Sequence, residues 1–152
     1  MRTILILLLF FCSSSSAAEQ FTNQDLVGLL EEAKRLTAYH KRVPLPKIVF
    51  LSTQDLQKEY CRGSKCEVSA FHRTGVIYLD KQISRDNVID RSIIVHEFIH
   101  YIQRLKVGDT YTCKMWFDKE SEAYRLQAEY LNNNNTSDAP IRNVISKLKC
   151  PE

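Results

Sequence analysis

The sequence predicts an α+β fold: a short, mostly antiparallel sheet of about three strands packed on one long buried helix, with one helix before it and two after it. Three patterns carry this expectation. Apolar residues recur at helical spacing in separate stretches at both ends of the chain. Short apolar runs bounded by Gly, Pro and Ser cluster between residues 47 and 80. One stretch, Ser92 to Arg104, is apolar on nearly every side, as a buried helix is. With 152 residues, 44% of them hydrophobic and 26% charged, residues 19–152 have the size of one domain. The formal net charge of +3 is too mild and too dispersed to suggest a nucleic-acid partner.

Residues 1–18 are expected to lie outside the fold. Arg2 gives a positive start, residues 4–11 form an apolar run too short to span a bilayer, and Ser16-Ala17-Ala18 fits a signal-peptidase site. The expectation is a secretory signal peptide cleaved near Ala18, with a secreted or periplasmic product and no membrane anchor thereafter. Cleavage removes Cys12 and leaves Cys61, Cys66, Cys113 and Cys150, an even set that reads as two disulfides in an exported chain. The tight turn enclosed by Cys61 and Cys66 favours a local pair. Cys113 and Cys150 are then left to pair.

In order, the first helix is expected from a cap at Asn23 or Asp25 to about Lys41, with Leu26, Leu29, Leu30, Ala33 and Leu36 as its stripe. Pro44 and Pro46 end it. Residues 47–52 read as a strand and residues 53–58 as a short helical turn. Residues 68–73 and 75–79 read as a hairpin about Arg73-Thr74-Gly75. A long helix starts at Asp86 or Asn87 and ends near Gly108. Residues 109–115 form a loop, residues 116–132 a helix, residues 132–140 a polar loop, and residues 141–149 a last helix.

The long helix carries His96-Glu97-Phe98-Ile99-His100, the H-E-x-x-H pattern. Residues four apart on a helix are about 400° round and roughly 6 Å along the axis, so His96 and His100 project from one face. That spacing suits two imidazoles sharing one zinc ion at about 2.0–2.1 Å each. Glu97 falls beside the metal, placed to hold an activated water and take its proton. A catalytic zinc needs a third protein ligand and an open position. Glu120 and Glu122 are the candidates, about 200° apart on the next helix, so only one can face the metal. The small Ala123 shares the face of Glu120 and lets two helices approach closely. That favours Glu120, with Glu122 as the alternative.

His96-Glu97-x-x-His100 followed by a helix reading Glu120-x-x-Ala123 resembles the gluzincin metallopeptidases, in particular their minimal single-domain members. The resemblance covers about residues 75–130. Where that clan reads Glu-x-x-Ala-Asp, its Asp bonded to a ligand His, this chain has Tyr124. Either the Tyr124 hydroxyl takes that part, or the register is set on Glu122. The clan places a strand at the rim of the cleft, before the zinc helix. The resemblance therefore implies that residues 75–79 are an edge strand able to pair with an extended peptide. It also implies an oxyanion donor, for which Tyr101, Tyr111, His72 and Tyr124 are candidates.

The expected function is a secreted, monomeric, zinc-dependent metallopeptidase that cleaves peptides or locally unfolded proteins. One Zn²⁺ is held by His96, His100 and Glu120, and Glu97 is the general base. The alternative is an exported, non-catalytic binding protein braced by zinc, with the second Glu of the pair or His72 closing the site. A third possibility is hydrolysis of non-peptide amides.

Overall fold

The computed structural model describes residues 21–62, 66–109 and 112–150. The expected signal segment and Tyr111 lie outside the described residues. The element order is α1 (Asn23–Leu36), β1 (Lys47–Leu51), α2 (Thr53–Cys61), β2 (Ala70–Arg73), β3 (Val76–Asp80), α3 (Val88–Val107), α4 (Cys113–Asn133) and α5 (Ala139–Ile145). The α+β class, the three strands, the leading helix and the two closing helices are as expected.

Local chemistry sets the boundaries. Thr22, not Asn23 or Asp25, caps α1: its Oγ1 accepts from the Asp25 N–H, and Asp25 accepts in return from the Thr22 N–H. The helix stops at Leu36, short of Lys41, because Ala38 turns to φ +49°. The Thr37 hydroxyl there donates to the Ala33 carbonyl at 2.7 Å. Ser52 caps α2 through the Asp55 N–H, and the helix runs past the expected single turn to Cys61. Thr112 caps α4 through the Met115 N–H, so the ligand-bearing helix starts at Cys113 and the preceding loop is shorter than expected.

The sheet has the order β1–β3–β2. It is mixed, with β1 parallel to β3 and β2 antiparallel to β3, rather than mostly antiparallel. A parallel pair needs a crossover longer than a turn, and α2 supplies it. The hairpin from β2 to β3 turns on Thr74 at φ +48° and Gly75 at φ +82°, the signs of a type I′ turn. The rim strand is therefore not the one expected. β3 is central and fully paired, with Ile77 and Leu79 wholly buried. β2, the next strand out, is the edge strand that borders the site.

The long helix α3 begins at its Asn87 cap and ends at Gly108, φ +78°, as the sequence suggests. It packs against α1, β2 and α4. Ile94, Val95, Phe98, Ile99 and Ile102 on it are fully buried. Two disulfides, Cys61–Cys66 and Cys113–Cys150, match the expected pairing. The second ties the start of α4 to the chain beyond α5. No helix among the described residues is long and apolar enough to cross a membrane. Truncating the largest fully buried side chain, Phe98→Ala, should cost about 3–5 kcal/mol of folding stability. Urea unfolding would read this as a lower midpoint at unchanged slope. A loss below about 1 kcal/mol would contradict the central position of α3.

Candidate metal centre

His96 and His100 stand one turn apart on α3, with their Nε2 atoms 2.9 Å from each other. Glu120, on α4, closes the triangle. Its Oε1 lies 3.2 Å from His100 Nε2 and its Oε2 3.6 Å from His96 Nε2. The three residues each offer one donor atom within 4.8 Å of the others, a group that could hold a metal ion. Of the expected pair of carboxylates, Glu120 faces the imidazoles and Glu122 does not.

The hydrogen bonds behind the imidazoles fix which nitrogen is free. The Ser92 hydroxyl donates to the Ile89 carbonyl at 2.6 Å, so its oxygen can only accept from Gln127 Nε2 at 2.9 Å. That places the Gln127 oxygen toward His96 Nδ1 at 3.1 Å, which must carry the proton. Gln103 repeats the logic for His100. Its Nε2 donates to the Lys119 carbonyl and to Glu122, so its oxygen accepts from His100 Nδ1 at 2.8 Å. Both rings thus turn Nε2 toward Glu120, the nitrogen a metal would take once it is deprotonated, with Nδ1 held from behind as in metal-ligating histidines.

Two bare lone pairs 2.9 Å apart would repel, so either a proton on one Nε2 or a metal ion must lie between them. Burial alone would lower the His100 imidazole. The hydrogen bond and charge of Glu120, with the charge of Glu97, outweigh it and raise His100 to about 9. Burial keeps His96 below its ordinary value, against the pull of Glu120 and Gln127. Burial would raise Glu120, but its bonds to His100 and His96 hold it well below the usual carboxylate range.

Glu97 is 6% exposed and stands outside the donor triangle. Its Oε2 is buried with no hydrogen-bond partner among the described residues. Burial pushes this carboxyl up to about 7, the His100 cation pulling it down and the Glu120 charge adding to the rise; the His72 backbone N–H also lowers it. A buried carboxylate oxygen with nothing to bond is costly unless it serves a ligand. The two-nitrogen, one-oxygen donor set fits a divalent metal ion, and the orphaned oxygen stands beside it.

A cleft of about 720 Å³ opens over the triangle, bordered by β2 on one side and by α4 and α5 on the other. The residue-by-residue outcome is mixed. Tyr124 lines the cleft with its ring 4.4 Å from that of His96, but it does not bond the ligand; Gln127 does. Tyr101 is spent on the Pro44 carbonyl and does not border the cleft. His72 lines it, with burial lowering its pKa to about 4 and its Nε2 accepting from the Gly75 N–H. Sequence reasoning missed Ser92, Gln103 and Gln127, and also Tyr60. The Tyr60 phenol borders the cleft, and burial first, then the charges of Glu120 and Glu97, raise its pKa. One signal was present: Glu120, Ala123, Tyr124 and Gln127 recur at three, one and three residues, which puts them on one face of α4.

Residues 19–151 match the model of a family described as a domain of unknown function, DUF6647. The chain belongs to that family. No curated protein and no solved structure matches the chain.

The raised His100 gives a pH test. Below a pKa of about 9 the ring is protonated, and a metal needs its lone pair. At about pH 7.5, Zn²⁺ binding should therefore release about one proton, fading as pH rises through the His100 pKa. Calorimetric titrations in buffers of different ionisation enthalpy would show it. A heat independent of buffer would contradict it.

Proposed function

We propose that this chain is an exported zinc-dependent metallopeptidase. His96, His100 and Glu120 would hold one Zn²⁺, and Glu97 is the general base. The observation that carries this reading is the state of Glu97: a buried acid beside the donor triangle, its Oε2 unpartnered and its pKa near neutrality. A general base works best with a pKa near the operating pH.

When bound, zinc supplies Lewis-acid chemistry, polarising a carbonyl and lowering the pKa of a water. Glu97 accepts the proton of the attacking water and later delivers it to the leaving amine. Gln103 and Gln127 hold the imidazoles in one tautomer throughout, so no ring has to turn over during reaction. The open edge of β2 offers backbone groups to an extended peptide. Tyr60, Tyr124 and His72 line the cleft, and their remaining O–H and N–H groups are the candidate donors to a developing oxyanion.

The rival reading, a closed zinc site that only braces the fold, needs a fourth protein ligand. Its two candidates are engaged elsewhere: Glu122 bonds Gln103, and His72 Nε2 accepts from Gly75. The donor group has three members among the described residues, which favours a catalytic site. Export is supported by two disulfides and by a family match that begins at the residue after Ala18. An open cleft of about 720 Å³ bordered by the β2 edge suits an extended peptide or a locally unfolded protein segment.

The test is zinc-dependent cleavage of an unstructured peptide library by the purified mature protein. Glu97→Gln should retain zinc and lose at least about 10²–10⁴-fold in turnover; parental turnover would remove Glu97 from the mechanism. His100→Ala should lose most of its metal, and full zinc occupancy in that variant would refute its role as a ligand.

A further inference from the structure

Glu122 is not placed to touch the metal, yet it is not idle. Glu120 and Glu122 lie about 200° apart around α4, so when one faces the imidazoles the other looks away. The second carboxylate reaches Gln103, whose Nε2 donates to Glu122 Oε2 at 2.8 Å. Gln103 is only 4% exposed and both of its N–H groups are used: the Lys119 carbonyl takes the second at 2.9 Å. Its oxygen accepts from His100 Nδ1 at 2.8 Å.

The result is a line of hydrogen bonds from an anion, through an amide, to the back of one imidazole. Such chains polarise one another. A carboxylate on the amide N–H makes the amide oxygen a stronger acceptor, and that raises electron density at His100 Nε2. The line behind His96 has a different end. It passes through Gln127 and Ser92 to the Ile89 carbonyl, a neutral helix group. One histidine is backed by a negative charge and the other is not.

We infer that Glu122 is a positioning residue that sets the metal affinity of this site by acting on His100 through Gln103. The inference rests on the reading that His96, His100 and Glu120 hold a divalent ion, but not on the reaction performed there. Glu122 is solvent-exposed on its outer side, so water screens part of its charge. The effect belongs at the low end of the range known for groups that support metal ligands, about tenfold in affinity.

A double-mutant cycle on zinc affinity tests it, read by competition with a chromogenic chelator. Glu122→Gln keeps an acceptor for Gln103 and removes only the charge. It should weaken zinc binding about tenfold and shift the visible spectrum of the cobalt-substituted protein. Glu122→Ala removes the acceptor too and should weaken binding at least as much. In a Gln103→Leu background, the Glu122 substitutions should have no further effect, because the connection is already cut. Parental affinity in both folded Glu122 variants would overturn the inference. So would a Glu122 loss that persists undiminished with Leu at position 103. A parent protein that binds no zinc would defeat the metal-centre reading and this inference together. A parent that binds while its variants match it would defeat this inference alone.

Discussion

Two imidazoles and a carboxylate are carried into the core on a helix whose other buried side chains are mostly apolar, and the surroundings answer that burial atom by atom. An ionisable group in such a place is tolerated only with partners. His96 Nδ1 is matched by Gln127, His100 Nδ1 by Gln103, and both Nε2 atoms by Glu120 from the adjacent helix. Even Ser92, wholly buried, is there to orient Gln127. The exception is Glu97 Oε2. In a cluster so fully matched, this one buried acceptor left over beside the donor triangle is the observation on which the proposed role of Glu97 rests.

The fold exists around this cluster in a mechanical sense as well. α3 is flanked by α1, by β2 and by α4, and the face that carries His96, Glu97 and His100 opens into the cleft. The register between α3 and α4 decides whether Glu120 meets the imidazoles. Ala123, wholly buried one turn beyond Glu120, permits their close approach. The Cys113–Cys150 bond fastens the first residue of α4 to the chain beyond α5, across a separation of 37 residues. A loop of that length constrains the unfolded chain by roughly 3–4 kcal/mol on the entropic account. Its location holds the start of the ligand-bearing helix in place.

Local signals carried most of this architecture. The H-E-x-x-H spacing placed both imidazoles on one face of α3, and an apolar run with a capping Asn and a terminal Gly bounded that helix well. The small Ala123 favoured Glu120 over Glu122, and the structure puts Glu120 at the imidazoles. The cysteine spacing led to both disulfides. What escaped was set by tertiary pairing. The gluzincin resemblance places residues 75–79 at the rim, and no local signal shows that β1 pairs in parallel with β3 and moves the open edge to β2. The glutamines escaped for a related reason: a lone Gln in a helix reads as surface, and only the packing of α3 on α4 turns Gln103 and Gln127 inward. Tyr124 drew attention in their place because it occupies the position where the gluzincins carry an Asp.

The central claim is that three side chains from two helices converge on one divalent ion. Anomalous diffraction at the zinc edge, from crystals of the mature protein grown with Zn²⁺, tests it most directly. The account predicts a single strong peak bounded by His96 Nε2, His100 Nε2 and a Glu120 oxygen, each at about 2.0–2.2 Å. A peak held by other residues, or no peak among these three, would contradict it.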